Sequence, residues 1–156
     1  MKRLFVLPVL LIILCSCINQ EYGILKYQDK DFEAEITVNG EYKIKVIKDE
    51  EISLEIQEPK NLQGVKFEIE ENEILIKNGS VEIPASKENL RGIYAISQIF
   101  SLEEKNLTLC ENDRFTFEQE NVIYILTIGK SNLPKKVEIY SPYFKYEITV
   151  DRISEP

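Results

Sequence analysis

The chain has 156 residues, with 19 basic and 27 acidic side chains, a formal net charge of −8, and no histidine. This length predicts one domain that is large enough to bury a core. The acidic balance disfavours nucleic acid as a partner, because the phosphate backbone is bound by clustered lysine and arginine. The absence of histidine removes the commonest general base and the commonest metal ligand.

The first residues predict an export signal. Lys2 and Arg3 precede an uncharged apolar run over residues 4–14. A run of this length is typical of a signal-peptide core. It is too short to cross a membrane, which takes roughly twenty apolar residues.

The segment Leu14-Cys15-Ser16-Cys17 follows this run and resembles the lipobox of bacterial lipoprotein precursors. In that motif a branched apolar residue lies three positions before the cysteine and a small residue lies directly before it. The resemblance implies cleavage before Cys17 and a lipid anchor of diacylglycerol and palmitate on that cysteine. An ordinary secretory signal with incidental cysteines is the alternative, and we disfavour it because no A-x-A-like cleavage site follows.

Cleavage at this point would leave residues 17–156, with 17 basic against 27 acidic side chains and a formal charge of −10. This charge argues against electrostatic binding of a polybasic segment to anionic lipid, so attachment would depend on the acyl chains. We expect a signal peptide over 1–16, an acylated N-terminus and tether over 17–31, and a single β-rich domain over 32–156. The expected location is the extracytoplasmic side of the cell membrane.

From residue 32 onward, apolar and polar side chains alternate with a period of two. Such alternation predicts antiparallel strands with one face exposed to water. The predicted strands are 32–38, 42–46, 52–57, 65–70, 74–77, 81–84, 114–118, 122–128, 136–140 and 144–153.

Side-chain parity predicts the turns, because a register slip of one residue moves every side chain to the other face. A three-residue loop over 39–41 keeps the apolar faces together, and so does a two-residue turn at Asn78-Gly79. The first loop, continued into the third strand, gives the opposed pairs Val38–Tyr42, Ile36–Ile44, Glu35–Lys45 and Lys43–Glu55. The second turn gives Ile76–Val81 and Ile74–Ile83.

One helix is predicted, over about 87–102, with Ser86 as its cap. Its apolar positions recur at helical spacing and are wide enough to predict deep packing against the sheet. The strand over 122–128 is apolar on both faces. It is therefore predicted to be central, with the helix on one side and a further apolar layer or a cavity on the other.

Several short motifs together resemble LolA/LolB-like lipoproteins and sorting factors, especially small lipoproteins of low-GC Gram-positive bacteria. They are the lipobox, Phe32-x-Ala34-x-Ile36, Pro59-x-x-Leu62-x-Gly64-Val65-x-Phe67, Val81-x-Ile83-Pro84, Tyr124-x-Leu126-x-Ile128, Leu133-Pro134-x-Lys136-Val137-x-Ile139 and Tyr146-x-Ile148-x-Val150. The resemblance implies a curved antiparallel half-barrel whose apolar concave side is covered by helices. In the sorting proteins that cavity takes acyl chains, whereas some lipoproteins of this fold in spore formers are thought to hold a partner enzyme. This chain departs from the carriers by having one clear helix.

Few residues of this sequence are candidates for a catalytic or binding role. Cys110 would be the sole cysteine left after cleavage, and its neighbour Leu109 favours a structural, half-buried thiol over a reactive one. Tyr140, Tyr143, Phe144 and Tyr146 form an aromatic hairpin that could contact a partner or wall glycan, although packing across the sheet is favoured. No nucleotide-binding or serine-hydrolase motif, cysteine-rich zinc site or calcium loop is present. We therefore expect no cofactor, no metal and no enzymatic activity.

The sequence thus predicts an α+β, mostly β fold in which a curved antiparallel sheet packs against one main helix behind a signal peptide. Its function would be that of a membrane-anchored lipoprotein displaying an apolar groove for lipid or another hydrophobic ligand. The alternative is an adaptor or chaperone for an exported partner protein, such as a cell-wall or spore-cortex enzyme. A cavity of several hundred Å³ would favour the ligand, and a filled core with an exposed apolar edge would favour the adaptor. The predicted groove residues are Phe32, Ile36, Ile44, Leu54, Phe67, Tyr124 and Leu126.

Overall fold

The computed structural model describes residues 23–71, 73–130 and 132–154. The expected signal peptide, the lipobox and Cys17 lie outside these ranges. One α-helix, α1, spans Arg91–Gln98, and short 3-10 helices span Lys26–Asp29 and Glu104–Asn106. The strands are β1 (Phe32–Val38), β2 (Tyr42–Lys48), β3 (Ile52–Glu58), β4 (Lys66–Ile69), β5 (Glu73–Asn78), β6 (Val81–Ser86), β7 (Leu107–Glu111), β8 (Arg114–Gln119), β9 (Val122–Ile128), β10 (Pro134–Tyr140) and β11 (Lys145–Ser154).

The strands form one open antiparallel sheet in the order β6-β5-β4-β3-β2-β1-β11-β10-β9-β8-β7. Two meanders, β1–β6 and β7–β11, therefore meet where the first strand pairs with the last. The predicted fold class, a curved antiparallel half-barrel packed against one main helix, is confirmed. In the described part of the chain, no helix is long and apolar enough to span a membrane.

The two faces of the sheet follow the period-two pattern. Inward-facing side chains of nearly every strand join one buried cluster, in which Ile36, Leu54 and Ile148 are at most 1% exposed. Cross-strand ion pairs cover the outer face. They include Lys43–Glu58 at 2.8 Å, Lys45–Glu33 at 3.0 Å, Lys77–Glu68 at 2.6 Å, Arg114–Glu138 at 2.9 Å and Lys136–Glu147 at 3.1 Å. The sheet therefore has one dry face and one charged face, as one-sided burial of an antiparallel sheet requires.

The first hairpin has the predicted register, with Val38 opposite Tyr42 and Ile36 opposite Ile44. Lys45 also lies opposite Glu35. The predicted pairing of Lys43 with Glu55 is wrong. A register shift next to Lys43 places that lysine opposite Glu58, while Glu55 faces Lys45. A bulge of this kind adds a residue to one strand, which parity alone does not reveal.

The predicted pairs at the β5–β6 hairpin are wrong by two residues. Asn78 pairs with Val81, so the two loop residues are Gly79 and Ser80, and Ile76 lies opposite Ile83. Gly79 supplies the positive φ of 59° at the first loop position. A shift of two residues keeps each side chain on its expected face.

Helix α1 is shorter than predicted and starts four residues later. Leu90 occupies its N-cap position without a side-chain hydrogen bond. Ser86 instead caps a turn, where its hydroxyl accepts a hydrogen bond from the backbone N–H of Asn89 at 3.3 Å. The deep packing is as expected, because Ala95 and Ile96 are buried, as is Phe100 just after the helix. The helix lies over β3 and β4.

Residues 24–29, which we expected to belong to a tether, pack into the core. Ile24, Leu25 and Tyr27 are at most 9% exposed. The Tyr27 hydroxyl and the Gln28 carboxamide both donate to the carbonyl of Ile99, each at 3.0 Å. This segment therefore packs against the C-terminal end of α1.

Strand β9 is an interior strand, but it is not at the centre of the sheet, where β1 and β11 lie. Its inward residues Tyr124 and Leu126 are buried. On the opposite face Ile123 is 40% exposed, so the predicted second apolar layer does not cover it. The cavity that was predicted as the alternative to this layer is not on that face of β9 but beside α1.

Candidate functional site

A cavity of about 520 Å³ opens between α1 and the tips of two hairpins, β8–β9 and β10–β11. This volume lies within the range of small-molecule sites. Residues 87–98, from the turn before α1 and the helix itself, form one wall, and residues 119–124 and 141–144 form the opposite wall. The cavity therefore lies at the side of the helix, where the sheet is not covered.

The helical wall consists of residues spaced three or four apart, as a single helix face requires. Its members are Arg91, Tyr94, Ala95 and Gln98, and the turn before the helix extends the wall with Lys87 and Glu88. The side chain of Gln98 accepts a hydrogen bond of 2.5 Å from the carboxamide of Gln119. Gln119 in turn accepts a hydrogen bond of 2.9 Å from Asn106. These amide contacts join the helix to the β8–β9 hairpin and close one end of the cavity.

The tip of the β8–β9 hairpin presents a carboxylate at the cavity. Glu120 and Asn121 are the two loop residues, with φ values of 52° and 63°. Such a loop needs positive φ at both positions, which asparagine tolerates. Glutamate is disfavoured there, at a cost of about 1 kcal/mol. Glu120 lines the cavity together with Tyr94, so the strained backbone carries an acidic group into the site.

Two tyrosine hydroxyls inside the site resist ionisation. Burial raises the pKa of Tyr124 well above its ordinary value, and the negative charge of Glu120 raises that pKa further. Burial also raises the pKa of Tyr94, to which Glu120 contributes both by charge and by its hydrogen bond. Both phenols are therefore neutral at physiological pH, and Tyr94 acts as a hydrogen-bond donor.

Two cations lie at the cavity over aromatic rings. The Lys87 ammonium is 4.7 Å from the ring centroid of Tyr94, and the Arg91 guanidinium is 4.4 Å from that of Tyr143. Lys87 also donates a hydrogen bond of 2.6 Å to the backbone carbonyl of Glu71. In the described ranges, neither cation has a carboxylate oxygen within 4.0 Å, and the charges of both help to lower the pKa of Glu88.

The seven predicted groove residues are brought together on the inner face of the sheet, and all are buried in the same cluster. Tyr124 alone among them lines the cavity. The side chains of α1 and the segment after it fill the space over the others. The rings of Phe32 and Phe100, for example, are 5.4 Å apart.

The aromatic hairpin is divided between packing and exposure. Phe144 stacks on Tyr146 with ring centroids 5.0 Å apart, and Tyr143 is 73% exposed and lines the cavity. Cys110 on β7 is half-buried against the core. Within the described residues, no group of three or more cysteine or acidic side chains could hold a metal ion.

No protein-family model and no curated protein sequence matches this chain. It is similar in structure to an uncharacterised conserved protein from Thermus thermophilus, with 12% identity, 86% of each chain covered and a TM-score of 0.50. A LolA superfamily protein from Nitrosomonas europaea gives 12% identity, coverage of 86% of this chain and 93% of the other, and a TM-score of 0.45. The Mycobacterium tuberculosis lipoprotein LppX gives 12% identity, 88% and 98% coverage, and a TM-score of 0.41. At these identities, the similarity to the first structure is one of fold alone.

The cavity-lining residues Lys87, Arg91 and Glu120 were not predicted from the sequence. A signal was present for the first two, because they recur at helical spacing with Tyr94 and Gln98 and extend one polar-aromatic face of the predicted helix. No such signal marks Glu120. Its role follows from the loop geometry and from a contact with Tyr94, which is distant in sequence.

Proposed function

We propose that this protein is an extracytoplasmic lipoprotein, anchored to the cell membrane through Cys17, that binds an apolar ligand without catalysing a reaction. The single observation that carries the ligand-binding part is the cavity of about 520 Å³ between α1 and the two hairpin tips. The anchoring part rests on the lipobox-like segment Leu14-Cys15-Ser16-Cys17.

The lining supports a ligand that is mainly apolar. Tyr94, Val122, Tyr124, Tyr143 and Phe144 all contribute to the walls. Charged and amide side chains line the rest of the walls, so the cavity combines aromatic surface with groups that can bind a polar end of the ligand. On the outer face of the described strands, basic side chains instead pair with glutamates.

Co-purification from detergent-solubilised membranes, followed by mass spectrometry of lipids and proteins, tests the binding proposal. Val122→Phe extends a side chain into the cavity and is expected to reduce the recovered ligand. Ile123→Phe is the matched control, because this neighbouring residue lies on the other face of the same strand and is 40% exposed. Folded wild-type protein at high yield without any bound molecule would contradict ligand binding.

Fractionation tests the anchor separately. Cys17→Ala is expected to move the protein from the membrane fraction to the soluble extracytoplasmic fraction, because two acyl chains contribute most of the attachment. Firm membrane attachment of this variant would refute a lipid anchor on Cys17.

A second function, that of an adaptor for an exported protein, is favoured by the edge strand β6. Val81 is 54% exposed and Ile83 is 53% exposed on this open edge of the sheet. An open edge can accept a strand from another chain. If the protein is an adaptor, Ile83→Lys should abolish co-purification of a protein partner while leaving bound lipid unchanged, and an unchanged partner would exclude this edge as the interface.

A further inference from the structure

The charged side chains around the cavity indicate which head group its ligand carries. Both carboxylates at the site have donors within the chain. Glu120 raises the pKa of Tyr94 by its charge and by hydrogen bonding, and hydrogen bonding to its own backbone N–H and to Ser86, followed by the charges of Arg91 and Lys87, holds the pKa of Glu88 below its usual range. Their acceptor capacity is therefore already partly used.

The two cations differ from these carboxylates, because neither has a carboxylate oxygen within 4.0 Å among the described residues, and they act on the neighbouring Glu88 through charge alone. Arg91 is exposed and lies on the ring of Tyr143, and Lys87 is half-buried and lies on the ring of Tyr94. An aromatic face holds a cation in position but leaves the outward N–H donors free. By contrast, the outer face of the sheet pairs its basic side chains across strands, as in Arg114–Glu138 and Lys136–Glu147.

Given the proposed function, we propose that the ligand is an amphiphile with a carboxylate head group. Arg91 and Lys87 bind this head group, and the apolar part of the ligand lies against Val122, Tyr124 and Phe144. The guanidinium of Arg91 can bind both carboxylate oxygens, and the ammonium of Lys87 adds a point charge. A cationic or sugar ligand would need the ring faces of Tyr94 and Tyr143, and a cation already occupies one face of each ring.

Three ligands with one chain and different head groups test this assignment: octanoate, octanol and octylammonium. Binding is measured by calorimetry on the full-length lipidated protein in nanodiscs, with empty nanodiscs as the blank. Octanoate is expected to bind about tenfold more tightly than octanol, because two cations that remain in contact with solvent each contribute at most about fivefold. Octylammonium is expected to bind more weakly than octanol.

Charge-removing variants locate the effect. Arg91→Gln and Lys87→Gln should each weaken octanoate about threefold and leave octanol unchanged, and Arg91→Lys should retain part of the affinity. Lys145→Gln is the matched control, because Lys145 also lies over a tyrosine ring, 4.8 Å from the centroid of Tyr140, but does not line the cavity. Thermal unfolding of each variant checks that the fold is intact.

The outcomes separate the two proposals. Equal binding of octanoate and octanol, unaffected by Arg91→Gln, would overturn the head-group assignment and leave the apolar site standing. Preference for octylammonium would overturn it in favour of a cationic ligand. Inorganic phosphate binding as tightly as octanoate would show an anion site without an apolar requirement, which also overturns it. Binding of none of these ligands would refute the proposed function itself.

Discussion

The carbonyl of Ile99 offers a quantitative test of the contact between the N-terminal segment and α1. This buried oxygen accepts one hydrogen bond from the Tyr27 hydroxyl and one from the Gln28 carboxamide, each at 3.0 Å. Tyr27→Phe or Gln28→Ala alone leaves the other donor in place. Each single change is therefore expected to cost about 1 kcal/mol, the usual net contribution of one hydrogen bond.

The double variant should cost more than the sum of the two single variants. With both donors removed, the Ile99 carbonyl is buried without a partner, and this adds a desolvation penalty of about 1–3 kcal/mol. We therefore expect a total loss of about 3–5 kcal/mol and a coupling energy of at least 1 kcal/mol. Urea unfolding of the four proteins, followed by circular dichroism, gives the cycle. Additivity to within about 0.5 kcal/mol would refute the shared-acceptor reasoning.

Three further predictions concern the core, the pH dependence and a close helix–sheet contact. Phe100→Ala should lower the free energy of unfolding, measured by urea unfolding, by about 3–5 kcal/mol, because Phe100 is fully buried and its truncation leaves a cavity. A loss below about 1 kcal/mol would contradict its place in the core. Burial raises the pKa values of Tyr27 and Tyr124 above the ordinary value of about 10. The stability that both contribute is therefore fully present below pH 10, and the free energy of unfolding should fall by up to about 1.4 kcal/mol per pH unit for each residue as the pH rises further. Tyr27→Phe should make this fall less steep, and an unchanged slope would contradict the assignment. Gly92→Ala would place a Cβ atom in steric conflict with the hydroxyl oxygen of Tyr146, so it should cost about 1 kcal/mol, and the added change Tyr146→Phe should restore most of that loss. Purely additive effects in urea unfolding would show that the contact is unimportant.

The period-two pattern predicted most strands because one face of the sheet is dry and the other is charged. Strand β7 was not predicted, and the cause is local. A register shift between Leu107 and Leu109 pairs Leu107 with Phe117 and Cys110 with Phe115, both inward-facing, while Leu109 is 50% exposed. Regular alternation is therefore interrupted within five residues, and the sequence of this edge strand does not show which face is buried.

The cavity was harder to predict than the fold. Burial of an apolar side chain follows from its position in a strand, so residues such as Ile36 and Leu54 could be assigned to the inner face. Whether that face is filled or open depends on how far α1 and the segment after it reach across the sheet. The late start of the helix, at Arg91, and the insertion of Phe100 are long-range outcomes that local propensity does not specify.

The pairing of β1 with β11 has a consequence for the order in which the molecule can fold. The two meanders meet only when residues from opposite ends of the sequence, such as Ile36 and Val150, come together. Contacts of such wide sequence separation form slowly. If the protein is exported N-terminus first, as proposed above, β1 keeps an unpaired edge until β11 has crossed the membrane. Loss of β11 would leave that edge permanently open in the middle of the molecule, where it invites pairing between chains.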